Sequence, residues 1–248
     1  MTEQHARPLE ARHGSPPRLL AHRGSPAAGI AENSLAAFLR AADLGADGVE
    51  LDARSTADGA VVVHHDPVVP GAGPVADLPV GRLPDHVPLL AEVLAALHGL
   101  LVNVEVKNLP GEPGFDPDDG TARAVVGLVR DDAAAGRVVV SSFWTPALQA
   151  VRALDPDLPV GLLTPSWMEP EAALEAARVL GADALHAAHP TVGPALVEAA
   201  HRAGIEVCAW TATTPRDLRR MVGAGVDTVI TDDVAVARAV LGGPPPGR

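Results

Sequence analysis

The chain has 248 residues, of which 47% are hydrophobic and 2% aromatic, and its formal net charge is −12 at pH 7. This length suits one large α/β domain or two small ones, with a core that Ala, Val and Leu must build. The acidic balance argues against a non-specific nucleic-acid binder, and the single cysteine, Cys208, excludes an internal disulfide and a thiolate metal cluster.

Both ends of the chain have the composition of tails. Residues 1–17 are mostly polar and predict a disordered N-terminal tail, and the Gly- and Pro-rich residues 242–248 predict a frayed C-terminal tail. The N-terminal segment lacks the apolar run of a signal peptide, and no run of about 18 apolar residues follows it. We therefore expect a cytoplasmic protein without a transmembrane segment.

The first part of the chain contains short apolar runs and one capped helix. The helix, which Asn33 or Ser34 can cap, extends to about residue 44. Residues 67–88 are rich in Pro and Gly and predict a long surface loop. The apolar runs predict strands at residues 19–21 and 49–52 and a hairpin arm at residues 60–63.

From residue 89 onward, helix and strand patterns alternate. The predicted helices lie near residues 89–97, 121–131, 146–154, 170–180, 194–203, 215–222 and 234–241. The predicted strands cover residues 101–107, 138–141, 160–163, 184–186, 206–210 and 228–231. With the hairpin arm set aside, strand and helix alternate about eight times, which predicts a single-domain (β/α)8 TIM barrel over residues 18–241.

An open doubly wound α/β sheet is the alternative fold. Such folds place a Gly-rich dinucleotide loop directly after the first strand. In this chain the first strand is followed by the sequence His22-Arg23-Gly24-Ser25-Pro26, which has a single glycine and a proline. The sequence therefore favours the closed barrel.

Ionisable side chains gather at the ends of the early strands, and barrels of this kind hold their working site at the carboxyl ends of the strands. The early strands end in His22 and Arg23, Glu50 and Asp52, His64, His65 and Asp66, and Glu105 and Lys107. The later strands end in Ser141, Ser142, Thr164, His186, Trp210, Thr231 and Asp232. This distribution predicts a one-sided site built mainly from the first three strands.

Lys107 is the only lysine in the chain, and it ends the Val-rich strand at residues 101–107. Side chains alternate along a strand, so Glu105 and Lys107 point to the same face. A single lysine in a chain that otherwise uses arginine indicates that a compact ammonium group is needed there. A plain ion pair at a strand end is the alternative interpretation.

Three carboxylates from neighbouring strands are costly to bring together without a cation. Glu50, Asp52 and Glu105 offer only oxygen ligands, which favours one hard divalent cation, Mg²⁺ or Ca²⁺. The alternative is that Glu50 and Asp52 form structural ion pairs with Arg23 and Arg54. The spacing alone leaves both interpretations open.

Basic and imidazole groups surround the same predicted edge of the sheet. Arg23 and Lys107 can hold an anion, most simply a phosphate, beside the cation. His22 and one of His64 or His65 can then act as acid and base on opposite sides of the phosphorus. A single histidine at a strand end is more often structural, but two of them beside an acidic trio and a basic pair favour catalysis.

With these residues in place, the chain resembles the glycerophosphodiester phosphodiesterase family. The matching pieces span residues 19 to about 240 and keep the family's order. The early pieces are Ala21-His22-Arg23-Gly24, Glu32-Asn33-Ser34, Gly45-Ala46-Asp47-Gly48-Val49-Glu50-Leu51-Asp52 and His65-Asp66. The later ones are Val104-Glu105-Val106-Lys107, Ser141-Ser142-Phe143, Ala209-Trp210-Thr211 and Ile230-Thr231-Asp232.

The resemblance implies a (β/α)8 barrel that hydrolyses glycerophosphodiesters to glycerol 3-phosphate and an alcohol with one divalent cation. It implies that His22 and His65 form the acid/base pair, His65 being chosen because the family pattern has histidine directly before aspartate. It assigns the cation to Glu50, Asp52 and Glu105. It further implies that the substrate's own glycerol hydroxyl attacks phosphorus and that water then opens a cyclic phosphate.

The resemblance also assigns substrate contacts. Arg23 and Lys107 would hold the phosphate, and Trp210 would form a wall of the substrate pocket or pack in the core. The only partner implied is the small-molecule glycerophosphodiester. The segment between His65 and Glu105 is short, which predicts a short or absent insertion after the second strand and a more open pocket.

Two other functions remain as alternatives. A lysophospholipase D type phosphodiesterase would need an exposed apolar surface for a lipid tail. Trp144, Trp167 and Met168 follow strand ends and could supply that surface, or each could equally pack in the core. A barrel that binds a phosphorylated ligand without cleaving it would have no use for two histidines beside an acidic trio.

Overall fold

The first and last strands of the sheet meet and close it into a barrel. The computed structural model describes residues 15–131 and 135–242, and within them eight parallel strands pair in the order β1-β11-β10-β9-β8-β7-β6-β2, with β2 returning to β1. These strands are β1 (Arg18–His22), β2 (Gly48–Ser55), β6 (Leu101–Val106), β7 (Val138–Ser142), β8 (Val160–Thr164), β9 (Ala184–Ala188), β10 (Glu206–Trp210) and β11 (Thr228–Thr231). The predicted TIM barrel is confirmed, and closure excludes the open doubly wound sheet.

A helix follows each barrel strand and covers it from outside. The helices are α1 (Leu35–Asp43), α2 (Leu90–Ala96), α3 (Gly120–Asp131), α4 (Thr145–Leu154), α5 (Pro170–Leu180), α6 (Pro194–Arg202), α7 (Pro215–Ala224) and α8 (Val234–Leu241). Ser34 caps α1 by accepting a hydrogen bond from the backbone N–H of Ala37. Helices α4 to α7 carry proline in their first two positions, where its fixed φ favours helix initiation.

Strand alternation sorts the side chains into two layers. Residues such as Leu19 and Val49 point outward and pack with the helices in the main hydrophobic core. Leu20, Cys208 and Ile230 form a separate small cluster from three neighbouring strands, which are the inward positions of the barrel. Because the period is two, the inward face of β1 also carries His22. The same rule places the charged residues of β2 and β6 inside.

The lower part of the barrel interior contains buried polar groups. Arg18 and Glu206 form an ion pair at 2.8 Å, with both side chains less than a tenth exposed. His186 is also buried, and it sits against Gly161, where an added Cβ would lie 2.4 Å from the imidazole Nε2. A glycine at position 161 therefore makes room for the inward-pointing imidazole.

The second strand continues beyond the barrel and changes partner. Its last residues pair with β3 (Val61–Val63) in an antiparallel arrangement, which confirms the predicted hairpin arm. Inside the barrel, β2 keeps parallel register with both neighbours, so Glu50 lies beside His22 of β1 and Asp52 lies beside Glu105 of β6. The pairing register alone thus brings four of the predicted site residues together.

The segment at residues 67–88 is more structured than the expected surface loop. It contains a small hairpin of β4 (Val68–Val69) and β5 (Gly73–Pro74) and two 3₁₀ turns, Val75–Asp77 and Val80–Arg82. Val69 and Val75 are buried and pack with Val62 of β3 in a separate cluster. The surface-loop prediction was wrong here because a few apolar residues without regular period can still anchor a loop on a neighbouring strand.

The predicted tails fall mostly outside the described residues. Residues 1–14 and 243–248 are not among them, and regular structure begins at Arg18 and ends at Leu241. The boundaries of the tails therefore stay predictions. Within the described part of the chain, every helix is too short or too polar to cross a bilayer.

Candidate active site

A cavity of about 190 Å³ lies at the carboxyl end of the barrel and has two chemically different halves. The charged half comes from β1, β2, β6 and the segment after β3, and it contributes His22, Arg23, Glu50, His65, Glu105 and Lys107. The apolar half comes from β7, β8, β10 and β11, and it contributes Phe143, Leu163, Trp210 and Ile230. The cavity is thus the one-sided charged site that the strand ends predict, facing an apolar wall.

Three buried carboxylates meet in the charged half. Glu50, Asp52 and Glu105 each offer an oxygen that lies within 4.8 Å of the oxygens offered by the other two. Burial and the negative charge of Asp52 raise the pKa of Glu50 to about 8, and burial also raises the pKa of Glu105. The cluster therefore stores electrostatic repulsion that a cation can relieve.

Two basic side chains approach these carboxylates. The Nζ atom of Lys107 lies 2.6 Å from Glu105 Oε1 and 3.2 Å from Asp52 Oδ1, and the lysine side chain is only 9% exposed. Burial lowers the pKa of Lys107, but the two carboxylates outweigh burial and raise it. Arg23 Nε lies 3.4 Å from Asp52 Oδ2. The pair adds positive charge at the edge of the cavity, where an anion can bind.

His22 is held by a residue from the opposite end of the chain. Its Nδ1 atom lies 2.6 Å from Asp232 Oδ1, and Thr213 donates a hydrogen bond to the other carboxylate oxygen of Asp232 at 3.0 Å. The hydrogen bond to His22 lowers the pKa of Asp232, so the carboxylate is an acceptor and Nδ1 carries the proton. The Nε2 atom of His22, 3.9 Å from Glu50 Oε2, is left for proton exchange.

His65 has a similar arrangement with its neighbour. Its Nδ1 atom lies 2.7 Å from Asp66 Oδ1. Burial and the charge of Lys107 lower the pKa of His65. For His22, burial lowers the pKa, but the hydrogen bond to Asp232 and the charge of Glu50 outweigh it and raise the pKa. Opposite shifts of this kind let one imidazole be protonated while the other is neutral.

The loop after β1 holds two of the carboxylates through hydrogen bonds. Asn33 donates a hydrogen bond from Nδ2 to Asp52 Oδ2 at 2.7 Å. Arg23 adopts a left-handed backbone with φ of 53°, and its N–H donates to Glu50 Oε2 at 3.1 Å. Gly24 must be glycine, because its φ is 83° and an added Cβ would lie 2.8 Å from the backbone carbon of Ala37. This turn fixes the start of the Arg23 side chain beside the acidic cluster.

Arg54 has a different role from the structural ion pair considered above. It does not pair with Glu50 or Asp52. Its Nε donates to the backbone carbonyl of His65 at 2.8 Å, and its Nη2 lies 2.9 Å from Glu112. Arg54 thus ties the segment that carries His65 to β2 and to the loop after β6.

An aromatic pair forms the opposite wall of the cavity. The rings of Phe143 and Trp210 meet edge to face with centroids 5.6 Å apart. The indole Nε1 of Trp210 donates to the backbone carbonyl of His186 at 2.9 Å, which fixes the ring orientation. Trp210 lines the cavity, and its contact with substrate stays a prediction.

The structure brings all eight candidate residues to one end of the barrel. Seven of them line the cavity, and Asp52 contacts one of the seven, Lys107, at 3.2 Å. Sequence reasoning assigned no role to Asn33 beyond a helix cap, and none to Asp232 or Thr213. For Asp232 a signal existed, because it follows the strand that pairs with β1 in a closed barrel. The other contacts had no sequence signal, since they depend on loop conformation.

A family model matches residues 22–236, and its description is the glycerophosphoryl diester phosphodiesterase family. The chain belongs to this family. A family relative in Caldanaerobacter subterraneus subsp. tengcongensis, described as a glycerophosphodiester phosphodiesterase, is 33% identical over 236 residues, which cover 87% of this chain and 93% of the relative.

Solved structures in the family have the same barrel. The glycerophosphodiester phosphodiesterase of Thermotoga maritima superposes with a TM-score of 0.74 at 26% identity, covering 90% of this chain and 98% of that one. A phosphodiesterase of Oleispira antarctica, solved in complex with the product sn-glycerol-3-phosphate, superposes with a TM-score of 0.79 at 25% identity, covering 92% of this chain and 97% of that one.

Proposed function

We propose that this protein hydrolyses glycerophosphodiesters to glycerol 3-phosphate and an alcohol with the help of one divalent cation. The observation that carries the proposal is that the carboxylates of Glu50 and Glu105, the cations of Arg23 and Lys107 and two imidazoles share one cavity. A phosphodiester needs a counter-charge for its phosphate and two groups that move protons, and this cavity supplies both. The product bound to the Oleispira relative supports the same substrate class.

The donor set fits a hard divalent cation. Glu50, Asp52 and Glu105 offer carboxylate oxygens only, which are the ligands that Mg²⁺ and Ca²⁺ prefer. Glu50 and Asn103 line the cavity, and each has one buried side-chain oxygen, Glu50 Oε1 and Asn103 Oδ1. Neither oxygen has a hydrogen-bond partner among the described residues. Burying such oxygens without a partner is costly, and a ligand in the cavity would relieve that cost. Bound there, the cation would lower the pKa of a nearby hydroxyl and neutralise developing charge.

The basic side chains then orient the phosphate. Lys107 already contacts two of the carboxylates, so it can bridge the acidic cluster and a phosphate oxygen without a large movement. Arg23 is anchored by an ion pair with Glu32 at 2.9 Å, and its guanidinium presents several donors in one plane. Together the two cations hold the diester with its phosphorus between the histidines.

The histidines carry the proton transfers. Both rings donate Nδ1–H to an aspartate, Asp232 for His22 and Asp66 for His65, so both Nε2 atoms are free for the reaction. One imidazole takes the proton of the substrate's glycerol hydroxyl as its oxygen attacks phosphorus. The other gives a proton to the departing alcohol oxygen, and a cyclic phosphate forms. Water then opens the cyclic phosphate with the two roles exchanged.

The test is hydrolysis of glycerophosphocholine, followed by ³¹P NMR. We expect glycerol 3-phosphate to accumulate, a cyclic phosphate to appear transiently, and a chelator to stop the reaction until Mg²⁺ or Ca²⁺ is restored. His22→Ala should lower kcat by about 10²–10⁴, the usual effect of removing an acid/base group. His64→Ala is the matched control, because the same position-by-position match assigns the role to His65.

Three outcomes would contradict the proposal. Turnover that persists in the chelator would remove the metal from the mechanism, and an unchanged kcat in His22→Ala would remove that histidine. A wild-type protein that retains glycerophosphocholine tightly without cleaving it would instead support a phosphate-binding barrel.

A further inference from the structure

The barrel encloses a second, much smaller cavity of about 20 Å³, which we call the interior cavity. Its lining includes the first residues of β1, β6, β9, β10 and β11, so it lies towards the amino ends of the strands, away from the active-site cavity at their carboxyl ends. Asn103, His186 and Glu206 also line it. The interior of a (β/α)8 barrel is normally filled by branched apolar side chains, so three polar side chains around one small cavity are unusual.

Each of these three side chains has one buried atom without a hydrogen-bond partner in the described part of the chain. The atoms are Asn103 Oδ1, His186 Nδ1 and Glu206 Oε1. The described residues have eight buried side-chain atoms of this kind, so three of the eight belong to the lining of this one cavity. Burying a polar atom without a partner destabilises the folded state, and three such atoms around one cavity indicate a ligand that they share.

Two of the three atoms can be satisfied only from the interior cavity. Asn103 lines both cavities, so a ligand on either side can bind its oxygen, whereas His186 and Glu206 line the interior cavity and not the active-site cavity. Glu206 uses Oε2 for its ion pair with Arg18 at 2.8 Å, and Oε1 remains. His186 is 3% exposed, and its Nε2 edge meets Gly161. The ligand must therefore bind at least His186 Nδ1 and Glu206 Oε1.

The charges and the volume select a small neutral ligand. Arg18 already pairs with Glu206, so a metal cation bound to Glu206 would be repelled by the nearby guanidinium. Burial raises the pKa of Cys208, which also lines the cavity, well above its usual value, so the thiol offers no thiolate ligand. A site for one water molecule needs about 10–15 Å³ and two to four polar partners, and the interior cavity meets both requirements.

We propose that the interior cavity binds one ordered water molecule, held by His186, Glu206 and Asn103. The water donates its two protons to Glu206 Oε1 and Asn103 Oδ1, and it accepts a hydrogen bond from Nδ1–H of the neutral imidazole. Burial lowers the pKa of His186 to about 4, so the ring is neutral at pH 7. This water joins the floor of the active-site cavity, to which Asn103 belongs, to the ion pair at the amino ends of the strands. The site does not depend on the proposed function.

The direct test is a high-resolution crystal structure of the full chain, determined once with Mg²⁺ and once with a chelator. In both crystals we expect one water peak within about 3.2 Å of His186 Nδ1 and Glu206 Oε1. Three results would overturn the proposal: no peak in the interior cavity, a peak within this distance of only one of the three polar atoms, or a peak with the shorter ligand distances of a metal ion, about 2.0–2.6 Å.

A second test counts long-lived water molecules in solution by ¹⁷O magnetic relaxation dispersion, with a chelator in every sample. His186→Phe removes Nδ1 and should lower the count by one relative to the wild type. His186→Gln has an amide that can still bind the water and should keep the count. Val207→Ala is the matched control, because Val207 is buried on the outward face of β10 and should not affect the interior cavity.

An equal count in the wild type and in His186→Phe would overturn the proposal. A count that falls equally in Val207→Ala would do the same, since the loss would then follow from general loosening of the barrel and not from the missing nitrogen. If a His186 variant fails to fold, the crystal structure of the wild-type protein still decides whether the water is bound.

Discussion

His22 and Asp232 are 210 positions apart in the sequence, and in the barrel their side chains meet with Nδ1 of the imidazole 2.6 Å from Oδ1 of the carboxylate. Closure of the sheet creates this contact, because β1 pairs with β11 on one side and with β2 on the other. With the Asp232 carboxylate as acceptor, Nδ1 carries the proton, and Nε2 stays available for the proposed proton transfer.

Asp232→Ala should therefore lower kcat about 10- to 100-fold with little change in KM, the scale of losing a group that orients a reactive histidine. Asp232→Asn keeps one acceptor oxygen and should lose less. The Asp232 side chain is 56% exposed, so the melting temperature should change little in either variant. Steady-state kinetics with glycerophosphocholine checks the prediction, and an unchanged kcat in Asp232→Ala would show that His22 needs no such partner.

Glu50→Gln should separate stability from metal binding. Burial and the charge of Asp52 raise the pKa of Glu50 to about 8, so at pH 7 the metal-free protein must protonate Glu50 in order to fold. The neutral amide removes this cost, so the metal-free variant should melt a few degrees higher than the metal-free wild type. Added Mg²⁺ or Ca²⁺ should stabilise the wild type but barely affect the variant. Calorimetric melting with and without a chelator provides the measurement. A variant that melts lower in both conditions would mean that the Glu50 carboxylate stabilises the fold itself.

Lys107→Arg should reduce kcat by about tenfold or more. The ammonium of Lys107 lies 2.6 Å and 3.2 Å from two carboxylates in a side chain that is almost buried, and a larger, forked guanidinium cannot occupy the same position. Arg178→Lys, in an exposed ion pair on α5, is the matched control and should be silent. If Lys107→Arg left kcat unchanged in a turnover assay, Lys107 would serve only to form structural ion pairs.

His186 should make the fold sensitive to acid. Burial lowers the pKa of His186 from 6.5 to about 4, so between these pH values the unfolded chain binds more protons than the folded one. The contribution of His186 to the free energy of unfolding is fully present above pH 6.5. It decreases as the pH falls, and at pH 4 it is smaller by about 3 kcal/mol.

His186→Gln removes this titration. Its free energy of unfolding, measured in urea at pH 7 and pH 4.5, should fall less between the two pH values than that of the wild type. Equal losses in both proteins would show that other groups cause the acid sensitivity.

Most of the barrel could be predicted from the sequence because its signals are local. A Val-rich run such as residues 101–106 predicts a buried strand without further information. A proline at the first helical position likewise predicts where α5 and α6 begin. The charged strand ends could also be predicted, because parallel strands bring their carboxyl ends to one edge.

The rest of the site could not be predicted because it depends on contacts between distant segments. Asn33 was expected to serve only as a possible helix cap, yet Ser34 caps the helix and Asn33 holds Asp52. An ion pair of Arg54 with the acidic cluster was one of two open alternatives, but β2 continues past the barrel and carries Arg54 to His65 and Glu112. Neither outcome follows from spacing, because both depend on where a loop turns.

The contact between His22 and Asp232 also has a consequence for synthesis of the protein on the ribosome. The first strand of the barrel carries His22, a proposed proton-transfer group, and it leaves the ribosome before the last strand of the barrel, which Asp232 follows. A nascent or truncated chain that lacks β11 has neither the last partner of β1 nor the carboxylate that orients His22. The complete site thus exists only in a finished, closed barrel, and hydrolysis can serve as a readout that the last strand has docked.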